Sequence, residues 1–271
     1  MTKRDITPEE VELGKLLPAG AALSWGLVKP PQRGPKREMS IDQIVAKAID
    51  IADKHGLEAV SMNKVASEFG FTAMSLYRYI PSKEDLLLLM QDAACDIELP
   101  AERPPHEWRE GLRDYVIGTI NIFSKHPWYG DIPISSIPIG PNNLRIVDWA
   151  LRPLRELPLN DYEKMSIVLL LSGYARSSGM LQRDINRAVQ AGSSLETFSG
   201  LHYSAALKAL VKPEQYPYLH PVVTSGAYTG ENESESNVGD DIEFGLQRIL
   251  DGIEQYLDRI QSSRKSGGTD K

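Results

Sequence analysis

A single cysteine, Cys95, in 271 residues excludes a disulfide framework and any zinc site built on thiolates, and it fits a reducing cytosol. Long apolar runs are missing as well. The stretch from Met165 to Ala175 is among the longest and falls far short of the roughly 20 residues that a bilayer span requires. There is no glycine-rich phosphate loop, and His55, His106, His126, His202 and His220 lie far apart with no metal-ligand spacing. An excess of basic charge is also lacking. The 30 Lys and Arg against 37 Asp and Glu give −7, which excludes a uniformly basic nucleic-acid coat while leaving room for a local basic patch.

What is present reads as a globular chain: 41% hydrophobic and 25% charged residues are ordinary values, and the length suits two domains or one large one. The run Leu16 to Val28 has the apolar content of a signal-peptide core. However, Glu9, Glu10 and Glu12 stand where a basic region belongs, and Pro18 interrupts the run. A cytoplasmic location is expected.

Four segments are predicted, with an all-α fold: an extension over 1–39, a helix-turn-helix domain over 40–84, a larger helical body over 85–261, and a flexible tail over 262–271. In the extension, Thr7-Pro8-Glu9-Glu10 can start a short helix. The prolines and glycine of Lys29–Arg37 instead dictate an extended basic arm. Ser40 and Gln43 form a capping box for a helix whose apolar positions Ile44, Val45, Ala48 and Ala52 repeat every three to four residues, and Gly56 closes it. Ser61 caps a short second helix that stops at Gly70, and Thr72 caps a third from Ala73 to Tyr79. Ser82 and Asp85 open a fourth. Further helices are predicted near 106–125, 140–157, 160–190, 195–211 and 240–261, with loops over Pro127–Pro141 and Pro213–Asp241.

The segment Ser61 to Tyr79 carries the functional signal. Two short helices joined by a tight turn containing glycine form a helix-turn-helix signature, in which the second helix protrudes to enter a major groove. Val65, Ala66, Phe69 and Leu76 face inward, which leaves a Tyr77-Arg78-Tyr79 triplet exposed. Tyrosyl hydroxyls and Arg suit phosphates, and Arg also reads guanine. Nine basic side chains face six acidic ones over residues 29–83, so this segment carries +3 and the remainder −10. That is the asymmetry of a nucleic-acid head on an acidic body. Arg33, Lys36 and Arg37 of the arm are candidates for the minor groove.

The run from Ile44 to Leu87 resembles the amino-terminal domain of the TetR-like transcriptional regulators, through Gly56-Leu-Glu-Ala, Val65-Ala, Ser75-Leu-Tyr-Arg-Tyr and Ser82-Lys-Glu-Asp-Leu86. The carboxyl-terminal part resembles the body of the tetracycline-repressor branch more weakly. That likeness rests on Glu107-Trp-Arg-Glu-Gly-Leu-Arg113, Leu171-Ser-Gly-Tyr174 and Phe244 to Glu254. The resemblance implies a homodimer that binds palindromic double-stranded DNA and releases it when a small molecule enters the body. It places Ala73, Met74, Ser75, Tyr77 and Tyr79 at recognition-helix contacts, Thr72 at its cap, Met62 and Asn63 on the preceding helix, and Lys83 at a phosphate. Ala73 and Met74 cannot donate hydrogen bonds, so they offer apolar contact with thymine methyls.

By the same resemblance the effector candidates are Tyr115, Thr119 and Ile122, then His126, Trp128 and Tyr129, and finally Tyr174, Ser178, Phe198 and His202. So many aromatics point to an apolar or aromatic effector. No cofactor is expected, and no metal, because the loop Asp131 to Asn143 offers no histidine. The helices at 160–190 and 240–261 are expected to dimerise, the latter through Ile242, Leu246, Ile249, Leu250, Ile253, Leu257 and Ile260. The competing reading is an all-α enzyme working in the body cavity, whose site would be assembled by folding rather than by a local motif.

Overall fold

Thr7 accepts the N–H of Glu10 on its hydroxyl, while the Glu10 carboxylate accepts the N–H of Thr7. This reciprocal cap opens helix α1 (Pro8–Gly14) as the sequence predicts. A second helix, α2 (Ala19–Ser24), follows within the run that resembles a signal-peptide core. The computed structural model describes residues 6–28, 39–133, 137–231 and 240–266, except the side chains of residues 195, 198, 265 and 266. The basic arm at Arg33, Lys36 and Arg37 lies outside the described residues. Every regular element among the described residues is helical, and none of these helices is long and apolar enough to cross a membrane.

The chain divides into two compact units, Met1–Gly179 and Met180–Lys271. In the first, α3 (Ile41–His55) is capped by Ser40 and Gln43 as expected and buries Ile44, Val45, Ala48, Ile51 and Ala52. Next come α4 (Met62–Ser67), α5 (Ala73–Tyr77) and α6 (Lys83–Ala94). Ser61 and Ser82 each accept a backbone N–H at a helix start, from Lys64 and Asp85 respectively. Helix α6 runs straight across the boundary expected at residue 84. Head and early body therefore form a single compact unit.

Helices α7 (Trp108–Lys125) and α8 (Pro141–Leu151) complete most of this unit, and α9 (Asp161–Gln190) begins in it. Helix α8 is shorter than expected because Arg152-Pro153-Leu154 tightens into a single turn. Its N-terminus is capped from α6: the buried Asp92 carboxylate accepts the N–H groups of Asn142 at 2.9 Å and Asn143 at 3.0 Å. That bond fixes the entry to α8 against α6.

The second unit holds α10 (Leu195–Ser199), α11 (Ser204–Leu210), α12 (Leu219–Thr224) and α13 (Asp241–Ser266). Three expectations are corrected here. The helix predicted over 195–211 breaks at Gly200, a left-handed residue at φ 78°. Helix α12 lies within the stretch expected as loop. Helix α13 continues to Ser266, into the expected tail. Leu246, Leu250, Ile253 and Leu257 of α13 are buried within the single chain, so most of the stripe assigned to dimer contact is already covered.

Candidate functional site

The turn between α4 and α5 is set by Gly70, whose φ of +75° suits a residue without a Cβ. Val65, Ala66 and Leu76 are fully buried and pin the two short helices to the head, while Phe69 is half-buried. With Leu76 as anchor, the opposite side of α5 faces outward. Met74 is 74% exposed, and Tyr77, Arg78 and Thr72 are exposed with it. Ala73, Ser75 and Tyr79 are half-buried along the same surface. Helix α5 ends at Tyr77 rather than Tyr79, with Arg78 as its cap. Lys83 opens α6 and is half-buried, and Asn63 is exposed on α4.

Two assignments change. Met62 is 5% exposed: it packs into the head and has no surface to present to a groove. Thr72 stands at the N-cap of α5 in extended conformation, but its hydroxyl makes no capping bond.

A cavity of about 460 Å³ opens in the first unit along one face of α7. Its floor is Ile117, Gly118 and Ile122 of α7 with Trp149 of α8, and Ala94 and Ile97 wall the α6 end. Gly118 makes the packing of Trp149 possible, since a Cβ there would lie 2.5 Å from the indole Cη2. Arg113, Asn121 and Lys125 bring polar groups to the same wall at helical spacing. Arg103 donates to Asp114 at 2.6 Å on another side. The combination of apolar floor and a few convergent polar groups is what small-molecule sites require.

Of the nine effector candidates whose side chains are described, only Ile122 lines this cavity. Tyr115 is buried with its hydroxyl 2.7 Å from the Ser172 hydroxyl and its ring edge-on to Trp149. Thr119 donates back to the Tyr115 carbonyl at 2.8 Å. His126 and Trp128 both turn to Asp53 of α3, at 2.9 and 2.6 Å. Tyr129 meets Cys95 at 3.3 Å, and burial pushes its hydroxyl pKa up. Tyr174 and Ser178 are half-buried on α9 and do not line the cavity. His202 is exposed in the second unit beside Tyr203, and the Phe198 side chain lies outside the described residues. These aromatics serve packing and hydrogen bonding, which aromatic content alone does not separate from ligand contact. Trp149, Ile117 and Lys125 escaped the sequence reading. For Lys125 the signal is the repeat 114, 118, 121, 125 along α7; Ile117 stands beside Gly118 of that row, and Trp149 on α8 has no local signal.

Comparison with known proteins decides the family. Residues 99–257 match the tetracyclin repressor-like C-terminal domain, and residues 44–90 match the bacterial regulatory proteins of the tetR family. The chain belongs to the TetR family. It is thus a transcriptional regulator with a helix-turn-helix head. It is 35% identical over 243 residues to the HTH-type transcriptional repressor DrrR1 of Streptomyces coeruleorubidus, covering 86% of this chain and 83% of that one. It is 25% identical to the HTH-type transcriptional repressor Rv1353c of Mycobacterium tuberculosis, covering 87% of each. Among solved structures it is similar to the TetR family protein ActR of Streptomyces coelicolor in complex with actinorhodin. That match has 26% identity and a TM-score of 0.65, and it covers 81% of this chain and 96% of that one.

Proposed function

We propose that this TetR-family protein is a cytoplasmic repressor that binds a palindromic operator as a homodimer. A small, largely apolar or aromatic molecule entering the α7 cavity releases it. The observation that carries the DNA reading is the exposure of Met74, Tyr77 and Arg78 on a helix pinned by fully buried Leu76. Large apolar and aromatic groups held out by a rigid anchor gain most when a base edge or sugar covers them. Asn63, Thr72, Ala73, Ser75, Tyr79 and Lys83 frame that surface.

For the effector, the supporting features are the Trp149 floor, the polar groups of Arg113, Asn121 and Lys125, and the cavity volume. ActR, the relative crystallised with actinorhodin, supports a body that accepts a small molecule. Binding rather than catalysis suits this cavity, because the Asp114 carboxylate on its wall is already held by Arg103 at 2.6 Å. The cavity touches the last turn of α6, so an occupant would act on the helix that leads to Lys83.

Selection of bound sequences from a random duplex pool at physiological salt tests the proposal. An enriched palindrome supports it; a folded protein that enriches nothing sinks it. With that duplex in hand, Ile117→Trp should bind as the parent does and resist any library compound that frees the parent. Release of the variant at the same compound concentration would remove the cavity from the effector reading.

A further inference from the structure

Helices α1 and α2 precede residue 44, where the matched regulator sequence begins, yet they are built into the first unit. Gly20, Ala21 and Ala22 of α2 are buried. The contact with α6 is backbone on backbone: a Cβ at Gly20 would lie 2.7 Å from the Asp85 carbonyl oxygen and 2.9 Å from its Cα. The Gly20 N–H donates to Asp85 Oδ1 at 2.6 Å, while Asp85 Oδ2 accepts from Ser82 Oγ at 2.7 Å. At its other end the same helix reaches the approach to α8, where the Trp25 indole N–H donates to the Ile139 carbonyl at 2.7 Å. Asp92 ties α6 to the first residues of α8, three residues on.

Three links therefore close a ring: α2 to the start of α6, the last turn of α6 to α8, and the approach to α8 back to α2. Helix α6 cannot slide or tilt without breaking one of them. It is also the helix that carries Lys83 beside the recognition helix at one end and Ala94 on the cavity wall at the other.

We propose that α2 forms an intramolecular strap that holds α6 in its DNA-competent position, raising operator affinity without touching DNA. Restricting α6 beforehand removes an ordering cost otherwise incurred on binding. The proposal rests on the operator reading above. It predicts that α6 becomes looser whenever the strap is released, with or without DNA.

Two variants test it. Gly20→Val drives a side chain into the α2–α6 contact, and Trp25→Phe, at a half-exposed position, removes one N–H and guards against a variant that fails to fold. Hydrogen exchange is followed without DNA over residues 83–94 and 139–145, and affinity is measured for the duplex enriched from the random pool. Each variant should exchange at least about threefold faster in both segments and bind the duplex about three- to tenfold more weakly. The salt dependence should stay that of the parent, because no phosphate contact is removed. Unchanged exchange, or faster exchange with unchanged affinity, overturns the strap. A flattened salt slope also overturns it, since the extension would then be acting through phosphates. A parent protein that enriches no duplex is a failure of the operator reading. The exchange arm tells that failure apart from failure of the strap.

Discussion

Asp53 Oδ1 accepts the indole N–H of Trp128 at 2.6 Å, joining the C-terminal half of α3 to the turn that follows α7. The same oxygen lies 2.9 Å from His126 Nδ1, which requires the proton on that nitrogen. Trp128 is fully buried, so its N–H has no recourse to water. Ile122 and Lys125, on the cavity wall, lie within four residues of His126. The head is thus bonded to the segment adjoining the cavity. Asp53→Ala should strand two donors and cost about 1–3 kcal/mol, lowering the melting temperature by several degrees. Asp50→Ala, on the same helix but in an exposed pair with Lys54, should leave the melt unshifted. Thermal unfolding of both variants checks this, and equal melts would show that the Asp53 bonds hold nothing.

The recognition surface yields an opposite pattern. Tyr77→Ala and Lys83→Ala should weaken binding of the enriched duplex several-fold with little change in melting, since both side chains retain solvent access. Leu76→Ala should instead cost roughly 2–5 kcal/mol of stability, because a fully buried side chain leaves a cavity behind. Affinity by titration and stability by denaturant unfolding separate the two. Tyr77→Ala binding as tightly as the parent would remove that tyrosine from the interface.

The head was legible because its signals are local. Ser40, Ser61 and Ser82 each sit at a helix start where a hydroxyl meets an orphan N–H, and Gly56 and Gly70 mark the turns. The assignment of Met62 to DNA contact fails because a family position says which residue is near DNA, not which way a side chain points. The effector cavity was nearly illegible for a different reason. His126, Trp128 and Tyr129 have the composition of a ligand site, but their partners Asp53 and Cys95 are more than 30 residues away in sequence. Tertiary hydrogen bonds decide between core and cavity, and periodicity cannot see them. Helix α2 leaves no pattern in the sequence because its small residues, Ala19 to Ala22, give no apolar stripe; they matter for how closely α6 can approach.

Of the two helices expected to dimerise, at 160–190 and 240–261, the exposed surface favours the first. Leu246, Leu250, Ile253 and Leu257 of α13 are buried in the single chain, whereas Tyr162, Met165 and Leu169 of α9 are exposed along one stripe, Leu169 at 74%. An exposed apolar row of this kind marks an interaction surface. Leu169→Arg should convert a dimer to monomer at unchanged helicity, and Leu250→Arg should unfold the chain. Sedimentation velocity with circular dichroism distinguishes them. A dimeric Leu169→Arg protein would place the interface elsewhere.

Cys95 makes stability depend on alkaline pH. Burial raises its pKa from 9.0 to about 11, with the Asp92 charge pushing the same way and the Tyr129 hydrogen bond opposing. The native state therefore holds this proton more tightly than the unfolded chain does. Its contribution is complete below pH 9 and is lost as pH rises towards 11, at no more than about 1.4 kcal/mol per pH unit. Tyr115 and Tyr129, both raised by burial, extend the loss to higher pH. Denaturant unfolding at pH 8 and pH 10.5 should show the decline, and Cys95→Ala should show a smaller one. The buried thiol should also react slowly with iodoacetamide at pH 8, since the thiolate is the nucleophile. Rapid alkylation of the folded protein would mean that Cys95 is reached by solvent, and the alkaline decline would then need another source.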